Sequence, residues 1–204
     1  MAKKETRKEE LTEVRRNQIL DAAGNVFAEK GLQKTRMDDI VHESGLSKGA
    51  LYWYFKSKDD IILAILRRIF DGEFRMLSDL VEAQGTAEDR LRKFIDLVIR
   101  DLRSLTSFNA ITYEFYALAF RSKSIRKIFR AYLEEYLRIM QSIIEQGIRD
   151  GEFRDYDSKD IAVAIGALSE GTLLLYAYDP DAIDMEQQLR SGIEILLSGL
   201  KKPN

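Results

Sequence analysis

Residues 35–58, TRMDDIVHESGLSKGALYWYFKSK, decide how this chain is read. They describe two short helices joined by a tight turn, the second opening on small and basic residues and closing on aromatics. Thr35 is placed to cap the first helix, and Asp38 three residues on completes a capping-box-like pair. Met37, Ile40 and Val41 fall on one face. Gly45 supplies the sharp turn that a residue with a Cβ resists. Ser47 is placed to cap the second helix. Lys48, Gly49 and Ala50 leave its first turn uncrowded, so backbone can approach a phosphate or a base edge. Leu51 and Phe55, four residues apart, anchor that helix to a core. Tyr52, Trp53 and Tyr54 cannot all point inward as well, so at least one large aromatic faces solvent. This is the helix-turn-helix arrangement, whose second helix enters the major groove of DNA.

The apolar spacing on either side is helical. A first helix over about 10–30 carries the stripe Ile19, Leu20, Ala23, Val26 and Phe27, and Gly31 ends it. Short helices follow at about 36–43 and 48–54. Ser57 caps a long helix over about 58–83 that starts in the head and ends in the body, which makes it the expected mechanical link between them. Thr86 caps the next, about 87–104. Further helices are expected at about 108–120 and 123–149, at about 159–178 with Ser158 as cap, and, after the turn Asp179-Pro180-Asp181, at about 184–200. No stretch alternates like a strand. The fold is therefore all-α, with about nine helices, divided into an N-terminal three-helix head (1–57) and a C-terminal helical body (58–204).

A chain of 204 residues, 45% hydrophobic with only 2 prolines, is long enough for one large or two small folded domains. With 0 cysteines and 1 histidine it has no disulfide, no thiolate metal site and no Glu-x-x-His di-iron pair. No glycine-rich phosphate loop is present. We therefore expect no enzyme, no metal and no cofactor; a Ser/Lys or carboxylate-pair site is the only catalytic alternative, and nothing points to one. The start MAKKETRKEE has no apolar core behind its charges, so no secretory signal is expected, and no apolar run approaches the ~20 residues of a membrane span. The longest, IAVAIGALSEGTLLLYAY, is interrupted by Glu170. A cytoplasmic protein without a membrane partner is the expectation. The net charge is −2, yet residues 1–58 carry 12 basic and 9 acidic side chains, leaving a positive head on an acidic body.

Over roughly residues 10–65 the chain resembles the DNA-binding signature of the TetR family of transcriptional regulators. The stretch RRNQILDAAGNVFAEKGLQKT before the motif and SKDDIILAIL after it agree as well as the motif itself. The family's usual Tyr-Tyr-His-Phe is here Tyr52-Trp53-Tyr54-Phe55. The resemblance implies that Ser47, Lys48 and Gly49 meet phosphates at the helix start, that Tyr52 and Trp53 face the groove, and that Tyr54 stands where the family often has His. It also implies that Lys58 contacts a phosphate and that Thr35 and Arg36 form a second phosphate clamp. Lys56 is a weaker candidate. His42, without ligand-type neighbours, is expected to face solvent, and Lys3, Lys4, Arg7 and Lys8 to form a tail, with a minor-groove arm as the alternative.

The resemblance further implies an effector cavity in the body and a dimer. The expected partners are a double-stranded DNA operator, a small lipophilic effector and a second copy of the chain. For the cavity wall we select Phe74, Tyr113, Tyr116 and Tyr136, because a tyrosine hydroxyl in such a wall needs a partner that a ligand can supply. Glu170 is a cavity acid, a dimer-face residue or simply exposed. Leu168, Leu175, Ile193, Leu196, Leu197 and Leu200, on the last two helices, are expected at the subunit interface. A ligand-responsive repressor binding a palindromic operator is the resulting expectation; a helical adaptor without DNA binding is disfavoured by the intact Ser47-Lys48-Gly49 and Lys58. A drug-like cation, a flavonoid-like phenol and a fatty acyl chain stand equal as effectors.

Overall fold

The computed structural model describes residues 2–104 and 109–202, with side chains described for 11–100, 111 and 113–202. Among these residues the chain forms α1 (Ala2–Lys30), α2 (Met37–Ser44), α3 (Lys48–Tyr54), α4 (Lys58–Glu82), α5 (Ala87–Ser104), α6 (Asn109–Arg121), α7 (Lys123–Arg149), α8 (Ser158–Tyr178) and α9 (Met185–Leu200). The only strand-like pairing described is an isolated antiparallel bridge between Phe153 and Lys201. The all-α expectation holds. The backbone of α1 is helical from Ala2, earlier than expected, because its charged start contains no helix breaker. The side chains of Lys3, Lys4, Arg7 and Lys8 lie outside the described residues.

By compactness the chain divides into two units. The first comprises Met1–Ile69 and Ser107–Ile128, the second Phe70–Thr106 and Phe129–Asn204. Helices α4 and α7 each contribute residues to both, and α6 belongs with the helix-turn-helix.

In the first unit the α1 stripe Ile19, Leu20, Ala23, Val26 and Phe27 is buried together with Ile40 of α2, Leu51 and Phe55 at α3, and Ile61, Ile62 and Ile65 of α4. α1 ends where Gly31 turns left-handed at φ 78 and its N–H returns to Phe27 O at 2.8 Å. Gly45 makes the turn between α2 and α3 at φ 65. The start of α2 corrects one expectation. Its N-cap is Arg36, whose backbone N–H donates to Asp39 Oδ2 at 2.8 Å. Thr35 lies one residue outside the helix, 2% exposed, and its hydroxyl donates to Gly31 O at 2.8 Å. Ser47 does cap α3, accepting from Ala50 N at 3.2 Å. Ser57 and Asp60 cap α4 reciprocally, at 3.1 Å and 3.0 Å.

In the second unit α5, α7, α8 and α9 enclose a core that includes Leu91, Ile95, Met140, Ile144, Phe153, Ile165, Ile193 and Leu197. Thr86 and Asp89 cap α5 reciprocally. Glu152 places its carboxylate over the same helix start, accepting from Ala87 N at 3.0 Å and Glu88 N at 3.1 Å. The cap of α8 is Asp157 rather than Ser158: its carboxylate accepts from Lys159 N at 2.8 Å and Asp160 N at 3.1 Å. Gly147 is needed where it stands, because a Cβ there would come within 2.5 Å of the Phe153 ring and 2.7 Å of Ala87. Helix α8 corrects the expectation about apolar runs. By length and composition it meets the requirement for crossing a membrane, and only 22% of its apolar window is buried in this chain. Ile161, Ala162, Ile165 and Thr172 face the core, while Val163, Leu174, Leu175 and Tyr178 are exposed.

Candidate nucleic-acid interface

The geometry of α3 follows from its two anchors. Leu51 and Phe55 are buried, at 0% and 5% exposure, and the helix is only 7 residues long, so the residues between them are turned outward. Trp53 is 65% exposed and Tyr52 and Tyr54 are half-buried. The Trp53 and Tyr54 rings meet edge to face at 4.6 Å and 84°, which fixes the indole at the helix end. Arg16 of α1 stacks its guanidinium over the Phe55 ring at 5.6 Å, so a cation also covers the base of the helix.

Around α3 lies a set of exposed charges. Gly49 has open space where a Cβ would be, so the first turn is uncrowded. Lys48 Nζ pairs with Asp38 Oδ1 at 2.7 Å, and that contact raises the ammonium pKa. Both partners are well exposed, so the pair is weak and can be exchanged for another anion. Lys56 Nζ donates to Tyr52 O at 2.8 Å. Ser47, Arg36 and His42 are exposed.

Two expected phosphate ligands are placed otherwise. Thr35 has almost no accessible surface and its hydroxyl is engaged. Lys58 Nζ donates to three carbonyls of the α1–α2 turn, Leu32 O at 2.5 Å, Thr35 O at 2.9 Å and Gln33 O at 3.3 Å. An ammonium has three protons, so this contact uses all of them. Lys58 ties the start of α4 to the turn instead of presenting charge to solvent. Its position is legible in the sequence, but the carbonyls it binds lie 23 to 26 residues away and carry no side-chain signal.

The expected effector residues are not gathered in one place. Tyr113 and Tyr116 belong to the first unit and face each other at 6.2 Å. Phe74, Tyr136 and Glu170 belong to the second. Tyr136 is a core residue: it is buried, its hydroxyl donates to Ala162 O at 2.9 Å, and the hydroxyl oxygen would lie 3.1 Å from a Cβ at Gly166. Burial first, and then the charge of Glu170, pushes its pKa well above the ordinary tyrosine value. Phe74 is half-buried and stacks on Tyr132, which in turn stacks on Phe70 at 4.3 Å. Within the first unit a cleft of about 380 Å³ lies between residues 30–34 and α6, lined by Glu114, Ala117, Leu118 and Arg121. None of the expected effector residues lines it.

The last two helices also redistribute the expected interface residues. Ile193, Leu197 and Leu200 face the core of their own chain, and Leu168 and Leu196 are half-buried. Of the six, Leu175 alone is exposed. The outward stripe of α8 is Val163, Ala167, Glu170, Leu174 and Tyr178, at helical spacing, and Ile195 of α9 is 72% exposed. Glu170 thus stands in an exposed apolar face. No group of three or more metal-binding side chains occurs among the described residues.

Known proteins match both parts of the chain. Residues 19–65 match the model of the bacterial regulatory proteins, tetR family, and residues 87–198, more than half of the chain, match the BetI-type transcriptional repressor, C-terminal. The fatty acid metabolism regulator protein of Bacillus subtilis (strain 168) is 26% identical over 187 residues, 90% of this chain and 94% of that protein. A TetR transcription regulator from Haloarcula marismortui superposes with a TM-score of 0.84 at 18% identity, covering 93% of this chain and 100% of the other. The transcriptional regulator FadR from Bacillus subtilis, solved in complex with stearoyl-CoA, superposes with a TM-score of 0.77 at 25% identity, covering 89% and 97%. This chain belongs to the TetR family of bacterial regulatory proteins and is a DNA-binding transcriptional repressor rather than an enzyme.

Proposed function

We propose that the chain binds a two-fold operator as a homodimer and leaves it when a small lipophilic effector occupies the body. The observation that carries the DNA side is α3, with Leu51 and Phe55 buried and Trp53 offered to solvent beside Tyr52, Lys48 and the open Gly49. A ring edge can pack on a thymine methyl, a tyrosine hydroxyl can reach a phosphate or base, and Lys48 can exchange Asp38 for a phosphate. Arg36 and Ser47 are exposed and remain in the contact set; Thr35 and Lys58 act behind it, by shaping the turn.

The dimer rests on the outward face of α8 and α9. A helix that is apolar on both sides needs a second cover, and a symmetric copy supplies one, with Val163, Leu174, Leu175 and Ile195 at the contact. Pairing also sets two recognition helices one turn of DNA apart, ~34–36 Å. An acyl chain is the effector class we take first, since a Bacillus subtilis relative is a fatty acid metabolism regulator and FadR of that organism was solved with stearoyl-CoA; a regulator of similar fold was solved with choline, which makes a small cation the second reading. The half-buried aromatic pair Tyr113 and Tyr116, within the first unit, is the apolar surface we assign to it. The effector acts only insofar as it binds the DNA-free arrangement better.

The test is selection of operators from genomic fragments, followed by fluorescence anisotropy with the recovered duplex. Trp53→Ala and Lys48→Ala should each weaken binding, and Lys48→Ala should also lower the magnitude of the salt slope by about one. Wild-type affinity in both variants would contradict the contacts. Stearoyl-CoA serves as effector probe, and an operator complex indifferent to it would overturn the acyl reading.

A further inference from the structure

The α1–α2 turn is gripped from two sides. On one side Lys58 holds the carbonyls of Leu32, Gln33 and Thr35. On the other, the backbone N–H of Leu32 donates to Glu114 Oε2 of α6 at 2.7 Å, a part-buried bond across 82 residues of sequence. Gly31 lets the carboxylate in: Glu114 Oε1 lies 2.9 Å from where a Cβ on residue 31 would sit. The turn then runs directly into Arg36, the N-cap of α2, and the left-handed Gly45 at the end of α2 leads straight into α3. Glu114 itself lies between Tyr113 and Tyr116, and α6 is part of the compact unit that contains the helix-turn-helix.

From this geometry we infer that Glu114 is a positioning residue for DNA binding: its carboxylate holds the Leu32 N–H, and through the turn it keeps α2 and α3 in the arrangement that meets DNA. The inference rests on the assignment of α3 as the DNA-reading helix. A displacement of the Glu114 carboxylate away from Leu32 by one residue's rise of α6, ~1.5 Å, would stretch this contact beyond hydrogen-bond range and orphan the Leu32 N–H. A ligand pressing on the flanking tyrosines therefore has a short physical route to the recognition helix. A merely electrostatic role makes the opposite prediction. Removing a carboxylate from a DNA-binding unit raises its positive charge and should tighten DNA binding, whereas loss of a positioning contact should weaken it.

The experiment compares the full-length wild type with Glu114→Ala and Glu114→Gln, which remove the same charge but differ in whether an oxygen remains to accept from Leu32. Operator affinity is measured by anisotropy across a salt series, and exchange of the Leu32 amide is followed without DNA, so loss of the grip and loss of DNA binding are read separately. The expected result is that Glu114→Ala binds about tenfold more weakly, within the usual range of coupling between sites, with an unchanged salt slope and faster Leu32 exchange, while Glu114→Gln stays near wild type in all three. Should Glu114→Ala not fold, the wild type decides: Leu32 exchange must slow when operator is bound. Alanine and glutamine variants that bind as wild type, bind more tightly, or weaken equally would overturn the inference, as would Leu32 exchange indifferent to operator.

Discussion

Lys58 shows how one side chain can be placed correctly and still do something other than its position promises. With its three protons on three carbonyls, replacing it by methionine should lower the stability of the first unit by about 1–3 kcal/mol, since each carbonyl loses a charged donor. The salt slope of operator binding should stay at the wild-type value, and a slope reduced by about one would restore Lys58 to the phosphate contacts. Asp39 gives a pH-dependent counterpart. Its carboxyl lies below the ordinary 3.8, first because Lys30 Nζ donates to it and then because Arg36 N–H does. A depressed folded value means that the unfolded chain takes up the proton first as acid is added. The stabilisation is therefore complete above 3.8 and disappears as the pH falls through the lower folded value. The melting-temperature gap between wild type and Asp39→Asn should close in that window; a gap constant from neutral pH into strong acid would contradict the assignment. At this scale side-chain anchors such as Leu51, Phe55 and Ser47 were legible, because their partners lie within one helix or motif. Glu114 carried no local signal, since its partner is a backbone N–H far along the chain.

Helix by helix, the caps and glycines account for where each element stops, and they separate two kinds of glycine. Gly147 of α7 stands against the Phe153 ring, whereas Gly72 of α4 has open space where a Cβ would go. Gly147→Ala should therefore cost about 1–3 kcal/mol by overpacking. Gly72→Ala should gain about 0.5–1 kcal/mol by removing backbone freedom from a helix interior. Urea unfolding checks both, and equal shifts in the same direction would show that helix propensity, not packing, governs the two sites. The starts and ends of the helices were readable to within a residue or two, apart from α1, because capping chemistry is local. The facing of α8 was not. When nearly every position is apolar, the pattern has no phase, so the sequence could not separate Ile165, which faces inward, from Leu175, which faces outward. In α9 the stripe Leu189, Ile193, Leu197 and Leu200 is distinct among polar residues, and it packs within its own chain while Ile195 stays exposed.

For the whole molecule, the decisive question is what covers the outward face of α8 and α9. Ile195→Asp should leave the chain folded, because the residue is exposed, but convert a dimer to a monomer in sedimentation and lower operator affinity by at least about tenfold, ~1.4 kcal/mol. Leu197→Ala, two residues on and 0% exposed, should instead cost about 2–5 kcal/mol of stability. A monomeric wild type would remove the interface altogether. That α6 packs into the same compact unit as the helix-turn-helix carries no local sequence signal, since its periodicity is that of any amphipathic helix. That division has a consequence for manufacture in the cell and in the laboratory. A fragment cut after Ser57 would lack both the ammonium and the carboxylate that fasten the first bend, and a nascent chain could not finish its front end until roughly 60% of its length had left the ribosome. On this division a fragment cut after Ser57 should behave as an incomplete reader of DNA, one that gains its full stability only when the residues through Ile128 are restored.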